Sequence, residues 1–232
     1  TVLADAITRT TRRGGTLLIP SFAVGRSQML IYLIGKFKAN KRIPQSLPVF
    51  LDSPMAIEAS RIFHEHTEDH RLTPEECDRT FATATYVRDV EESKALNRNS
   101  APKVVISASG MATGGRVLHH LKYLAPEPRN MILFAGFQAG GTRGATIVSG
   151  AETVKIHGDE VPIRAEVENL EMLSAHADAD EILAWLRGFE RAPKMAFITH
   201  GEPAAADALR KRIQGELGWP CSVPEQLDAS TL

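Results

Sequence analysis

Cysteine is scarce in this chain: there are two among 232 residues, Cys77 and Cys221, in unrelated contexts. A pair so placed cannot frame a disulfide-stapled scaffold, and points instead to a reducing compartment, the cytoplasm. Long apolar runs are missing as well. None approaches the ~20 residues that a membrane-spanning helix needs, so no membrane partner is expected. Neither charge sign is in excess: 27 Lys and Arg against 28 Asp and Glu leave a net charge of -1. Any nucleic acid would therefore have to be held locally, not by a wholly basic surface. Two local basic runs, Arg9/Arg12/Arg13 and Lys36/Lys38/Lys41/Arg42, read as solvated helix ends. No internal repeat stands out. Nor is there a His-x-His-x-Asp-His or comparable cluster of metal ligands. The chain opens on Thr1 with an amphipathic helical pattern over residues 1–13, not a signal peptide, and a fragment of a longer protein is expected.

What is present is an alternation of short β-rich runs and helical patterns. Thr16–Pro20, Pro48–Asp52, Lys103–Ser107 and Met131–Ala135 read as strands. Between them, Gly25–Phe37 reads as a helix burying Met29, Leu30, Leu33, Ile34 and Phe37. Pro54–Glu65 and Arg116–Tyr123 read as further helices. Parallel strands need crossovers, so this order predicts an α/β fold with a parallel sheet flanked by helices. Residues 66–100 are charged surface segments. At the start of this stretch and just before it, His64, His66 and His70 resemble metal ligands, but the acidic context reads better as a solvated helix end. After Gly144 the texture changes: Thr153–Ile156 and Val161–Val167 predict a hairpin, followed by a helix with Ile182, Leu183, Leu186 and Phe189. A strand Lys194–Thr199 and a helix Ala204–Leu217 complete the chain.

Two histidines follow strands in this second part. His176 lies in Ser174-Ala175-His176-Ala177-Asp178 and His200 in Thr199-His200-Gly201-Glu202-Pro203. If the strands leading to them are parallel neighbours, ~5 Å apart, both imidazoles reach one phosphodiester or metal cluster. His200, rigidly placed before Gly201, suits a metal ligand, and His176, on a looser loop, suits a proton donor. From spacing alone, two capping or core histidines explain the pattern equally well.

Two glycine-rich loops follow strands earlier on. Ser107, Ser109, Gly110 and Arg116 belong to the first, Gly141, Thr142 and Arg143 to the second. Backbone N–H groups at such strand-to-helix turns hold anions, and the arginines add charge. No Lys-Ser/Thr follows the glycines, so neither is a P-loop. The stretches SFAVGRS and LDSPMA complete four loops after strands; Asp52 is expected to cap the helix starting near Pro54 or, less simply, to position Arg26 or Arg116.

Taken in order, PSFAVGRSQ, LDSPMA, ISASGMATGG, GFQAGGTRG, LSAHAD and THGEP resemble the β-CASP metallo-β-lactamase nucleases over nearly the entire chain. The resemblance implies a β-CASP domain over residues 1–145 and the C-terminal part of a metallo-β-lactamase αββα fold over 146–232, its N-terminal half absent. It implies a zinc-dependent ribonuclease holding two Zn²⁺ when intact, with His176 as general acid, His200 as one zinc ligand, and Ser107–Gly110 and Gly140–Arg143 facing RNA. One ligand cannot hold a zinc pair, since each ion needs about four donors. The chain alone is therefore expected to bind no zinc and to be inactive. Its expected partners are RNA and the missing half, with a homodimer left open. A catalytically silent RNA-binding scaffold and a small-molecule phosphate-binding module are the alternatives.

Overall fold

The computed structural model describes residues 2–170 and 176–230. Contacts divide the chain into two units, Thr1–Ser174 and Ala175–Leu232. The first runs α1 (Val2–Arg12), β1 (Thr16–Pro20), α2 (Arg26–Ala39), β2 (Val49–Asp52), α3 (Pro54–Glu65), a 3-10 turn (Thr67–Asp69), α4 (Pro74–Phe81), β3 (Thr85–Tyr86), α5 (Val90–Arg98) and β4 (Lys103–Ser107). It continues through α6 (Arg116–Leu124), β5 (Met131–Phe134), α7 (Arg143–Val148), β6 (Thr153–Ile156), β7 (Asp159–Pro162) and β8 (Glu166–Asn169). Six strands form one sheet in the order β3-β2-β4-β1-β5-β8, every neighbouring pair parallel.

Strand alternation decides which side chain meets which layer. Leu17, Ile19, Val104, Ile106, Met131 and Leu133 point to the face covered by α1, α2 and α3. Leu18, Val105, Ile132 and Phe134 point to the face covered by α6 and the β6–β7 hairpin. Both faces are buried, which is why β1, β4 and β5 read as continuous apolar runs. In α2 the buried stripe is Ser27, Gln28, Leu30, Ile31 and Ile34. Met29, expected inside, is instead 41% exposed, because Gln28 takes the core side by bonding Ser60 and the Ala23 and Ala56 carbonyls.

Two further expectations change. Val161–Val167 is not one strand: β7 pairs with β6, then the chain crosses and β8 joins the main sheet beside β5. The basic run at the end of α1 is not simply solvated either. Arg9 and Arg13 form ion pairs with Glu166 and Glu168 of β8, tying that edge strand to α1.

Lys103, at the start of β4, is 1% exposed and donates through Nζ to the carbonyls of Asn99 and Ala101. Burial, with help from the charge of Arg129, pushes its pKa from 10.5 down to about 8. Between those values the unfolded chain binds more protons than the folded one, so stability rises as pH climbs through that window. Lys103→Met should therefore stabilise by about 1–3 kcal/mol at pH 7, with a gain that fades toward pH 10.5. Urea midpoints at both pH values measure it; a less stable variant at pH 7 contradicts the assignment.

The second unit holds α8 (Ala179–Leu186), β9 (Ala196–Phe197), α9 (Pro203–Leu217) and β10 (Cys221–Ser222). β9 and β10 pair in parallel, and Leu183, Ile213, Trp219 and Cys221 form a small core. Asp178 and Glu181 form a reciprocal capping box that starts α8, whose last turn precedes Phe189. Among the described residues no helix is long and apolar enough to cross a membrane.

Candidate functional site

Register brings Pro20, Ser107 and Asp52 into one row at the carboxyl ends of β1, β4 and β2. The loops after β1, β2, β4 and β5 therefore open at one edge of the sheet, where ligands bind in folds of this class.

Asp52 organises that edge. It is fully buried, and its carboxylate meets Arg116 Nη1 at 2.6 Å, His120 Nε2 at 2.7 Å and the Ser93 hydroxyl. Burial pushes its pKa upward, but hydrogen bonds from His120, Ser93 and Arg116 outweigh that and hold the carboxyl below its ordinary range. The expected capping role falls to Ser53, whose side chain accepts from Ala56 N at 3.3 Å. Asp52 points inward because β2 lies beside β4, which places it across from α6.

Arg116 is consequently committed. Besides Asp52 it donates to the carbonyls of Val87 at 3.0 Å and Arg88 at 2.8 Å. Ser107 is buried, and its hydroxyl donates to the Asp52 carbonyl at 2.8 Å. These two residues, expected to face phosphate, instead buttress the loop that carries the others. Sequence reading missed His120, which also meets Asn97 Oδ1 at 2.7 Å through Nδ1. Its signal was available: Arg116 and His120 stand four apart, on one face of α6.

The first glycine loop turns outward beyond this network. Ser109 accepts from Thr113 N at 3.0 Å, and Gly110 lies under the Phe22 ring, where an added Cβ would meet Cδ2 at 2.8 Å. The second loop runs alongside: Gln138 donates to the Gly110 carbonyl at 3.2 Å and Gly144 N to the Met111 carbonyl at 3.0 Å. Gly141 is exposed, at φ +80. Thr142 caps α7 through Ala145 N. Arg143 donates to the carbonyls of Lys155 at 2.6 Å and Ala112 at 3.2 Å, which fixes its guanidinium between the first loop and β6.

Together they line an open cavity of about 440 Å³ with Thr113, Gly141, Thr142, Arg143, Thr146 and Lys155. Hydroxyls and two cations with no carboxylate among them suit an anion with several oxygens, such as a phosphodiester. Lys155 was another residue missed, although the outward positions of β6, Thr153 and Lys155, follow from its alternation.

The histidines of the second unit are both solvent-exposed, not sealed in an apolar interior. His176 stands two residues before the α8 cap; Ser174 and Ala175 of the same stretch lie outside the described residues. His200 sits between β9 and α9 with φ +65, and Gly201 packs closely on Ala206. Among the described residues β8 pairs with β5 and β9 pairs with β10, while residues 171–173, which complete the stretch expected to lead into His176, lie outside the described residues.

Among the described residues the one group of three candidate metal donors is His66, Glu68 and Asp69, all exposed. His64 meets Asp78 at 2.7 Å and His70 stacks on Phe63 at 4.0 Å, in keeping with a solvated helix end. Among the described residues neither His176 nor His200 belongs to such a group.

A family profile described as the Beta-Casp domain matches residues 27–147, and one described as the Zn-dependent metallo-hydrolase RNA specificity domain matches residues 160–224. The chain belongs to the β-CASP family of RNA-processing ribonucleases. It is similar to Ribonuclease TTHA0252 of Thermus thermophilus, 40% identical across 90% of this chain and 48% of the relative. It is also similar to Transcription termination factor FttA of Pyrococcus abyssi, 30% identical across 99% of this chain and 37% of that protein. An RNase J-like protein of Methanocaldococcus jannaschii is 28% identical across 96% and 51%. The chain thus spans between about a third and a half of the length of these relatives.

Proposed function

We propose that this chain supplies the RNA-gripping part, and two imidazoles, of a zinc-dependent ribonuclease that cuts phosphodiester bonds during RNA processing or decay in the cytoplasm. The observation that carries the reading is the carboxylate-free cavity of Thr113, Thr142, Arg143 and Lys155 where two glycine loops meet. Arg143 is held by backbone carbonyls, so it meets a phosphate without first being ordered. His200 would contribute one zinc ligand, the remaining donors coming from polypeptide outside this chain. Zinc so held supplies an activated water and stabilises developing negative charge. His176 would carry a proton to the leaving oxygen, a role worth 10²–10⁴-fold in rate.

The 232-residue chain alone is expected to bind RNA in a salt-dependent manner and to cleave none. In a protein carrying the full complement of zinc donors, His200→Ala should lower zinc content and cleavage together. His176→Ala should keep its zinc and cut roughly 10²–10⁴-fold more slowly. Metal analysis alongside single-turnover cleavage separates the two, and loss of metal from the His176 variant would reverse the assignment. A silent RNA-binding scaffold is the second reading, favoured by the absence of a donor triad around His200 among the described residues. It predicts RNA binding without cleavage even with every donor in place.

A further inference from the structure

The edge that carries the proposed phosphate cavity also presents aromatic rings to solvent. Phe22, in the loop after β1, is 47% exposed, and Phe137, in the loop after β5, is 64% exposed. Exposure alone does not single them out, since Tyr123 is 60% and Trp185 67% exposed; placement does. Their placement is not loose. Phe22 lies on Gly110, where any side chain would collide with the ring, and Ser27 bonds the Phe22 carbonyl at 2.8 Å. Phe137 precedes Gln138, whose amide holds the same Gly110 through its carbonyl. Arg26 ties the two loops together from below, donating to the Ala135 carbonyl at 2.7 Å.

From Gly110 the paired loops lead directly to Thr113 and Gly141–Arg143, the cavity walls. Exposed rings beside a fixed arginine, on neighbouring loops, match how single-stranded nucleic acid is held. Bases stack on aromatic faces while phosphates follow the positive groove. Resting on the RNA reading above, we propose that Phe22 and Phe137 form a base-stacking platform for unpaired, sequence-tolerant RNA next to the phosphate cavity. A π-face accepts any base, so the platform selects strand state, not sequence.

The test measures binding of the whole chain to two fluorescein-labelled strands of equal length, a 12-nucleotide oligouridylate and an abasic ribose-phosphate strand. The wild type should bind the oligouridylate more tightly. Phe22→Ala and Phe137→Ala should each weaken that binding about five- to a hundredfold. They should leave abasic binding within about twofold and the salt dependence unchanged, since no phosphate contact is lost. Phe137→Trp should retain affinity and Phe137→Leu should not; because Phe137 lies on the loop surface, this pair remains informative if Phe22→Ala disturbs folding.

Equal wild-type binding of both strands overturns the platform but leaves the RNA reading standing. Binding of neither strand overturns both. Alanine variants that leave oligouridylate affinity intact overturn the platform. If the same variants shift the sedimentation of the free chain, the rings serve contact between two copies instead, and the proposal also fails.

Discussion

Asp52→Ala should be the most damaging single substitution in the first unit, costing about 3–5 kcal/mol. The carboxylate is the shared partner of Arg116, His120 and Ser93, and its loss leaves the fully buried His120 imidazole, and the 18% exposed Arg116 side chain, without their acidic partner. Breaking a buried pair costs more than the pair ever contributed, because the surviving charge keeps its desolvation penalty. Against a typical total stability of about 5–15 kcal/mol, that leaves the variant near its unfolding threshold. Asp52→Asn keeps the shape and some hydrogen bonds, and should cost less, about 1–3 kcal/mol.

The pH dependence has a definite sign. The folded pKa lies below the ordinary value, so the unfolded chain takes up the proton first as pH falls. The contribution of Asp52 is complete above an unfolded pKa of about 3.9 and disappears as pH drops through the lower folded value. Urea unfolding read by far-ultraviolet circular dichroism is the measurement, since both tryptophans, Trp185 and Trp219, lie in the second unit. Wild type and Asp52→Asn should differ at pH 7, and the difference should shrink as pH falls below about 3.9. Equal midpoints at pH 7 would remove Asp52 from its central place.

That centre was hidden from sequence for a physical reason. The runs Thr16–Pro20 and Lys103–Ser107 declare themselves because a strand buried on both faces must be apolar throughout. Nothing in them states that β4 lies between β1 and β2, and only that order sets Asp52 beside Ser107 and within reach of α6. Asp52 before Ser53-Pro54 looks locally like a helix cap, and local chemistry was satisfied by its neighbour. The same gap misplaced β8: Val161, Ile163, Ala165 and Val167 keep one apolar alternation throughout, and the crossing at residues 163–165 is a tertiary decision. The glycine loops were legible because turn geometry is written in glycine. Which of their residues face outward was not, since Ser107 and Arg116 are drawn inward by partners distant in sequence.

The two neighbouring glycines of the first loop should respond in opposite ways to one added methyl group. Gly115 heads α6 at φ 76 and ψ -170, a region essentially closed to residues with a side chain. A Cβ there would also stand 2.8 Å from the Ala108 carbonyl oxygen, a backbone atom that cannot swing away. Moving it disturbs the Val117 N–H bond to that same oxygen and, one residue before Arg116, the pairing with Asp52. Gly115→Ala should therefore cost about 2–4 kcal/mol, combining backbone strain with the contact. Because Ser109 N bonds the Gly114 carbonyl across the same turn, RNA affinity should fall along with stability. Gly114 has nothing within 4 Å of an added Cβ and no left-handed backbone requirement. Gly114→Ala should leave affinity within about twofold, and stability unchanged or raised by about 0.4–1 kcal/mol through a less flexible unfolded chain. Thermal unfolding and oligouridylate binding of both variants decide the matter. Equal effects at the two positions would mean that the loop is not held in the geometry on which the phosphate cavity depends.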